Sequence, residues 1–165
     1  MKHTTSNPLH VLLLATAVSF AGASFAADKH DAHAAHQHDG AATLQLNDGK
    51  KWETDAPLRK SMAQIRQTVN ASLHKIHENK LPASGYATLA HKVESEVGTI
   101  VSNCKLEPKA DAQLHLIVAD LLAGAEQMAG KSKDAKRQDG AVKVIVALDN
   151  YAKYFADPQF KPIKH

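Results

Sequence analysis

The sequence predicts an all-α protein, an up-down-up-down antiparallel four-helix bundle carrying a disordered His-rich N-terminal tail. Three observations lead there. From Thr54 to Phe155, apolar residues recur at alternating spacings of three and four, the rhythm that lines one face of a helix. This region divides into four stretches of about 20 residues, each roughly 30 Å as a helix. The breaks between them are short and carry Pro, Gly or Asn, and short connections between equal helices favour antiparallel neighbours.

The first helix opens at Thr54 or Asp55, either of which can cap it, with Pro57 in the first turn, where its missing N–H costs nothing. Its stripe is Leu58, Met62, Ile65, Val69, Leu73 and Ile76, and it stops at Asn79-Lys80-Leu81-Pro82. The second runs from about Ala83 to Asn103 on Tyr86, Leu89, Val93, Val97 and Ile100. The third starts at Pro108, follows Leu114, Ile117, Val118, Leu121, Leu122, Ala125 and Met128, and ends at Gly130. The fourth follows Lys131-Ser132-Lys133 and carries Ala141, Val144, Leu148, Tyr151 and Phe155 before Asp157-Pro158. Val142 to Val146 alone would suit a strand, but the helical rhythm through Phe155 overrides it. Gly98 and Gly124 fall inside helices and are expected to let helices approach closely.

The residues before the bundle are of three kinds. Residues 1–26 read as a signal peptide: Lys2 and His3, an apolar run from Val11 to Ala21, then Ala23-Ser24-Phe25-Ala26-Ala27. The apolar run is shorter than the ~20 residues of a spanning helix, so cleavage and no stable membrane span are expected. A cut after Ala26 places small residues at both positions read by the peptidase, whereas a cut after Ala27 would set Phe25 in one of them. Residues 27–42 form a flexible His-rich tail with no large apolar residue, unable to offset its ordering entropy by burial. Residues 43–53 form an extended arm or tight turn around Asp48-Gly49, pinned by the sole tryptophan, Trp52. Residues 54–156 are the bundle and 157–165 a C-terminal tail.

Export to the periplasm sets the chemical context. Without its leader the chain keeps 139 of 165 residues, one domain with a modest core. It keeps 19 Lys and Arg against 17 acidic residues, interspersed and without an arginine stripe or aromatic platform, which excludes a nucleic-acid binder. A disulfide scaffold is excluded as well, since Cys104 is the single cysteine. No nucleophile elbow, phosphate-cradling glycine loop, H-E-x-x-H or paired-Cys metal motif occurs, so the chain does not read as an enzyme.

The densest chemistry lies in His30, His33, His36 and His38, four imidazoles within nine residues. Imidazole binds Cu(II), Ni(II) and Zn(II), and a mobile chain can wrap several around one ion. This pattern predicts a moderate-affinity metal binder or buffer, and metal ions or an envelope protein as partners. If the mature chain began at Asp28, the free amine, two amides and His30 in third place would close a square plane around Cu(II) or Ni(II). If it began at Ala27, they would not.

Within the bundle, up-down topology would gather Met62, Cys104, His115 and Tyr151 toward one end, where the thioether, thiolate and imidazole would suit Cu(I). Their depths differ: Cys104 is at the very end, Met62 and His115 about two turns or ~10 Å further in. His74 and His77, with His91, are candidates for the opposite end; the competing reading is surface histidines at a helix C-terminus, where positive charge suits the dipole.

Residues Thr54 to Phe155 resemble the small periplasmic b-type cytochrome bundles. The likeness rests on an early helix 1 methionine, in Leu58-Arg59-Lys60-Ser61-Met62, and on a closing Leu148-Asp149-Asn150-Tyr151-Ala152-Lys153-Tyr154. It implies export, a four-helix fold, and haem held between Met62 and a histidine near the end of helix 4. This chain has Tyr154-Phe155 there and no histidine, and His165 is too far along to replace it. The C-x-x-C-H of the c-type variant is absent too, so the residues argue against haem. An atypical haem or copper carrier, or a partner-binding bundle, are the alternatives to metal buffering.

Overall fold

The computed structural model describes residues 43–164. Residues 1–26, read as a signal peptide, and the four histidines His30, His33, His36 and His38 lie outside the described residues. The protein is all-α: four helices, α1 (Ala56–His77), α2 (Ala83–Asn103), α3 (Pro108–Ala129) and α4 (Arg137–Tyr154), and no strand among the described residues. The segment Val142 to Val146 is helical. Helix α1 packs on α2 and α4, α3 packs on α2 and α4, and α2 also reaches α4.

Each boundary has a local cause. The Asp55 side chain caps α1 by accepting from Leu58 N at 2.9 Å, and Pro57 sits in the first turn. After Glu78, Asn79 takes a left-handed φ of 52° and the chain turns into Pro82. Gly130 closes α3 at φ 80°, a conformation that any Cβ would strain, and its N–H returns to Gln127 O.

The stripes anticipated on all four helices form the core. Leu58, Met62, Ile65, Val69 and Ile76 are fully buried, as are Ile117, Leu121, Met128, Leu148 and Tyr151. Leu122 departs from the pattern at 36% exposure, because the third stripe is narrower than its run of large residues suggests. Gly98 also departs: nothing lies within 4 Å of where its Cβ would be. The close approach falls between Gly124 of α3 and Gly140 of α4: a Cβ on either would stand 2.7 or 2.6 Å from the other's carbonyl oxygen.

Both flanks of the bundle are tied down. Asn47 and Lys50 exchange backbone hydrogen bonds of 2.8 and 2.9 Å around Asp48 (φ 49°) and Gly49 (φ 81°), a two-residue turn that needs both residues left-handed. Trp52 is buried; its N–H donates to Tyr154 O, its carbonyl accepts from Ala156 N, and its indole N–H donates to Gln45 O at 2.7 Å. The C-terminal segment is folded onto the core as well. Ile163 is buried, Phe160 meets Tyr151 edge-on at 4.9 Å, and the Tyr151 hydroxyl donates to Asp157 at 3.0 Å.

Candidate functional site

The bundle's candidate ligands fall into three places. Cys104 follows the last turn of α2 and His115 lies in the second turn of α3, and they line one pocket of about 280 Å³ with Asp111 and the apolar Ile100, Val101, Leu114 and Val118. Asp111 and His115 are one helical turn apart, so His115 Nδ1 lies 2.8 Å from Asp111 O and 3.4 Å from its carboxylate. Met62 is elsewhere: it sits fully buried on the α1 stripe and does not line that pocket.

The half-buried Cys104 thiol is held by the cap of a different helix. Asp55 Oδ1 accepts from Leu58 N and from Cys104 Sγ at 3.5 Å, while Oδ2 accepts from Lys105 N at 2.6 Å. One carboxylate thus ties the start of α1 to the residues just after α2. Burial pushes the Cys104 thiol up, and the charges of Asp55 and Asp111 and the hydrogen bond to Asp55 push further, to about 12. A metal would have to overcome that preference for the protonated thiol. Burial alone would raise the Asp55 carboxyl, but the Lys105 and Leu58 N–H groups, Cys104 and the charge of Arg59 outweigh it and hold the carboxyl below its ordinary range.

His74, His77 and His91 are all exposed. His74 Nε2 pairs with Glu78 at 3.2 Å, and His91 Nδ1 faces Glu94 at 3.5 Å, where Lys131 also reaches the same carboxylate. Each of these two histidines therefore meets an acid one turn along its own chain. Among the described residues, no group of three or more His, Cys, Asp or Glu side chains is placed to hold a metal ion.

Two polar constructions escaped sequence reasoning. Between α1 and α2, the buried Glu96 accepts from the Lys92 ammonium, which also donates to Gln64 at 2.7 Å. Burial raises the Glu96 carboxyl, yet hydrogen bonds from Lys92 and Ser61 and the charges of Lys92 and Lys60 hold it below its ordinary value. Lys92 and Glu96, four apart, give the only advance signal, and it is indistinguishable from a surface pair. The second is a cationic pocket where the C-terminal segment crosses α1, lined by Arg59, Lys60 and Arg66.

No helix among the described residues is long and apolar enough to cross a membrane. No known protein family, curated protein or solved structure matches this chain.

Proposed function

We propose that this chain is an exported periplasmic protein that binds or buffers transition-metal ions through its His-rich N-terminal segment, with the helical domain as carrier or docking body. The observation that carries this is the run His30, His33, His36 and His38, donors for Cu(II), Ni(II) or Zn(II) on a segment with no other evident chemistry. The signal-like residues 1–26 support export, and the single cysteine suits a domain stabilised by packing rather than disulfides. The up-down-up-down arrangement is supported by the short connections and by the packing of each helix on its neighbours in sequence. The chain is read as a binding protein rather than an enzyme, and haem is not part of the proposal.

Isothermal titration of the mature chain with Cu(II), Ni(II) and Zn(II) tests it. The variant carrying His30→Ala, His33→Ala, His36→Ala and His38→Ala should lose the binding, as should the chain lacking residues 27–42. Equal binding by the parent and both altered chains would refute it and turn attention to the Cys104–His115 pocket, on which an atypical copper site would draw. A specific observation favours the partner-binding alternative: Val142 and Val146, one turn apart on α4, are about half exposed at 48% and 50%. Absence of metal binding by the parent chain would leave that reading.

A further inference from the structure

Arg59, Lys60 and Arg66 lie in the first half of α1, and the segment from Asp157 to Lys164 crosses that half. Between them is a pocket of about 340 Å³, walled by these three cations together with Asp157 and Phe160. Neither guanidinium is left to wander. Arg59 Nη1 donates to the carbonyl of Thr54 at 2.6 Å and to its hydroxyl at 3.1 Å; Arg66 Nε donates to the carbonyl of Lys161. Both arginines are half-buried and held by uncharged oxygens. A guanidinium has five N–H donors, so most of them remain unengaged.

The charges of Arg59 and Lys60 are felt at Asp55 and Glu96, but the nearby carboxylates make their close contacts elsewhere. Asp157 is turned into its own segment, accepting from the Tyr151 hydroxyl at 3.0 Å and from Gln159 N at 3.1 Å. Asp55 is occupied by Leu58 N, Lys105 N and Cys104, and Glu96 by Lys92 and Ser61. Among the described residues, none of the three cations forms an ion pair. Three positive charges, two of them on restrained guanidinium groups, therefore share this pocket with a single carboxylate, Asp157.

We infer that this pocket binds a small oxyanion, a phosphate or carboxylate group, through Arg59, Lys60 and Arg66. Planar guanidinium groups match the geometry of such oxygens, and their restraint by backbone carbonyls removes much of the entropy cost of engaging them. Phe160 adds an apolar wall, so an anion with a flat apolar body gains more than a bare one. This site is independent of the metal proposal: it shares no residue with it.

The test uses the full mature chain, freed of metal and kept in chloride buffer. Inorganic phosphate, acetate and benzoate are the probes, read by isothermal titration and by thermal shift. The expected result is saturable one-site binding with Kd of about 1–10 mM for at least one probe. Phosphate above acetate identifies a phosphate group as the natural anion; benzoate above both, with the gain lost in Phe160→Ala, identifies an aromatic carboxylate. Arg66→Gln and Lys60→Gln should each weaken binding about three- to tenfold. Lys60 is exposed and its side chain donates no hydrogen bond among the described residues, so its substitution leaves the fold intact even if Arg66→Gln loosens the C-terminal segment. Lys131→Gln, which removes a cation paired with Glu94, should change nothing. No saturation by any probe up to about 50 mM, or unchanged affinity in Lys60→Gln and Arg66→Gln, overturns the assignment.

Discussion

Replacing Gly140 by Ala tests whether the packing of α3 on α4 depends on two facing glycines. A Cβ at Gly140 would stand 2.6 Å from Gly124 O, 2.8 Å from Met128 N and 2.9 Å from Gln127 Cβ, where ordinary contact begins at 3.4 Å. The nearest two atoms are backbone, so no side-chain rotation relieves them. Going from 2.6 to 3.4 Å, the helices must part by about 0.8 Å. That opens a layer containing Ala125, Met128, Ala141 and Val144, all fully buried. Overpacking of this kind costs about 1–3 kcal/mol, and the upper part of that range applies because the obstruction is rigid. Helix propensity returns about 1 kcal/mol for Gly to Ala. A net loss of about 1–2 kcal/mol remains, which lowers the urea midpoint by roughly 0.5–1 M at the m-value of a small domain. Gly98→Ala is the internal control: with nothing within 4 Å of its Cβ, only the propensity gain acts and the midpoint should rise. Urea unfolding followed by far-ultraviolet circular dichroism reads both. A Gly140→Ala midpoint equal to or above the parent's refutes the close-packing account.

Asp55 and Glu96 are both held ionised below their ordinary values of 3.8 and 4.5. A lowered folded-state value adds stability above the unfolded one that is lost as pH falls through the folded one, so the urea midpoint should drop on acidification below about pH 4.5. The drop should be shallower in Asp55→Asn and Glu96→Gln; identical slopes in parent and variants would refute the link. The Cys104 thiol, pushed up to about 12 by burial and by Asp55 and Asp111, should be alkylated at pH 8 at least roughly a hundredfold more slowly in the native chain than in urea. Asp55→Asn should speed it, and an equal native rate in parent and variant would show that Asp55 does not control the thiol. Trp52→Phe should cost about 1 kcal/mol for the indole bond to Gln45, and Trp52→Ala about 3 kcal/mol or more for the emptied site. Denaturant titration measures both, and a neutral Trp52→Ala would mean that the arm is not anchored there.

What a sequence discloses depends on how far apart the cooperating residues stand along the chain. Met62, Ile65 and Val69 show their burial through their own spacing, since a helix repeats every 3.6 residues and needs no distant partner to set the face. The Asp48-Gly49 turn and the Asp55 cap are equally local, involving residues at most three apart. Gly124 and Gly140 are legible only as glycines; which of the helical glycines meets another backbone is decided by the rotation of α3 against α4, so Gly98 drew the same expectation without cause. Cys104 and His115 could be assigned to one end from topology, and they do share a pocket despite the depth difference their positions implied, while Met62 is buried on its stripe and stays out of it. The cationic pocket marks the far limit. Arg59, Lys60 and Arg66 read as the solvated side of an amphipathic helix, and what turns that side into a concavity is a segment 95 residues away that places the Lys161 carbonyl on Arg66. Phe160 and Ile163 are apolar residues in a Pro-containing tail with no helical rhythm, so nothing local marks the one as a wall beside α1 or the other as buried. A charge run is mere solvation only while its face stays open; once a second segment covers it and brings one acid, Asp157, against three cations, the same residues can serve as a site for an anion.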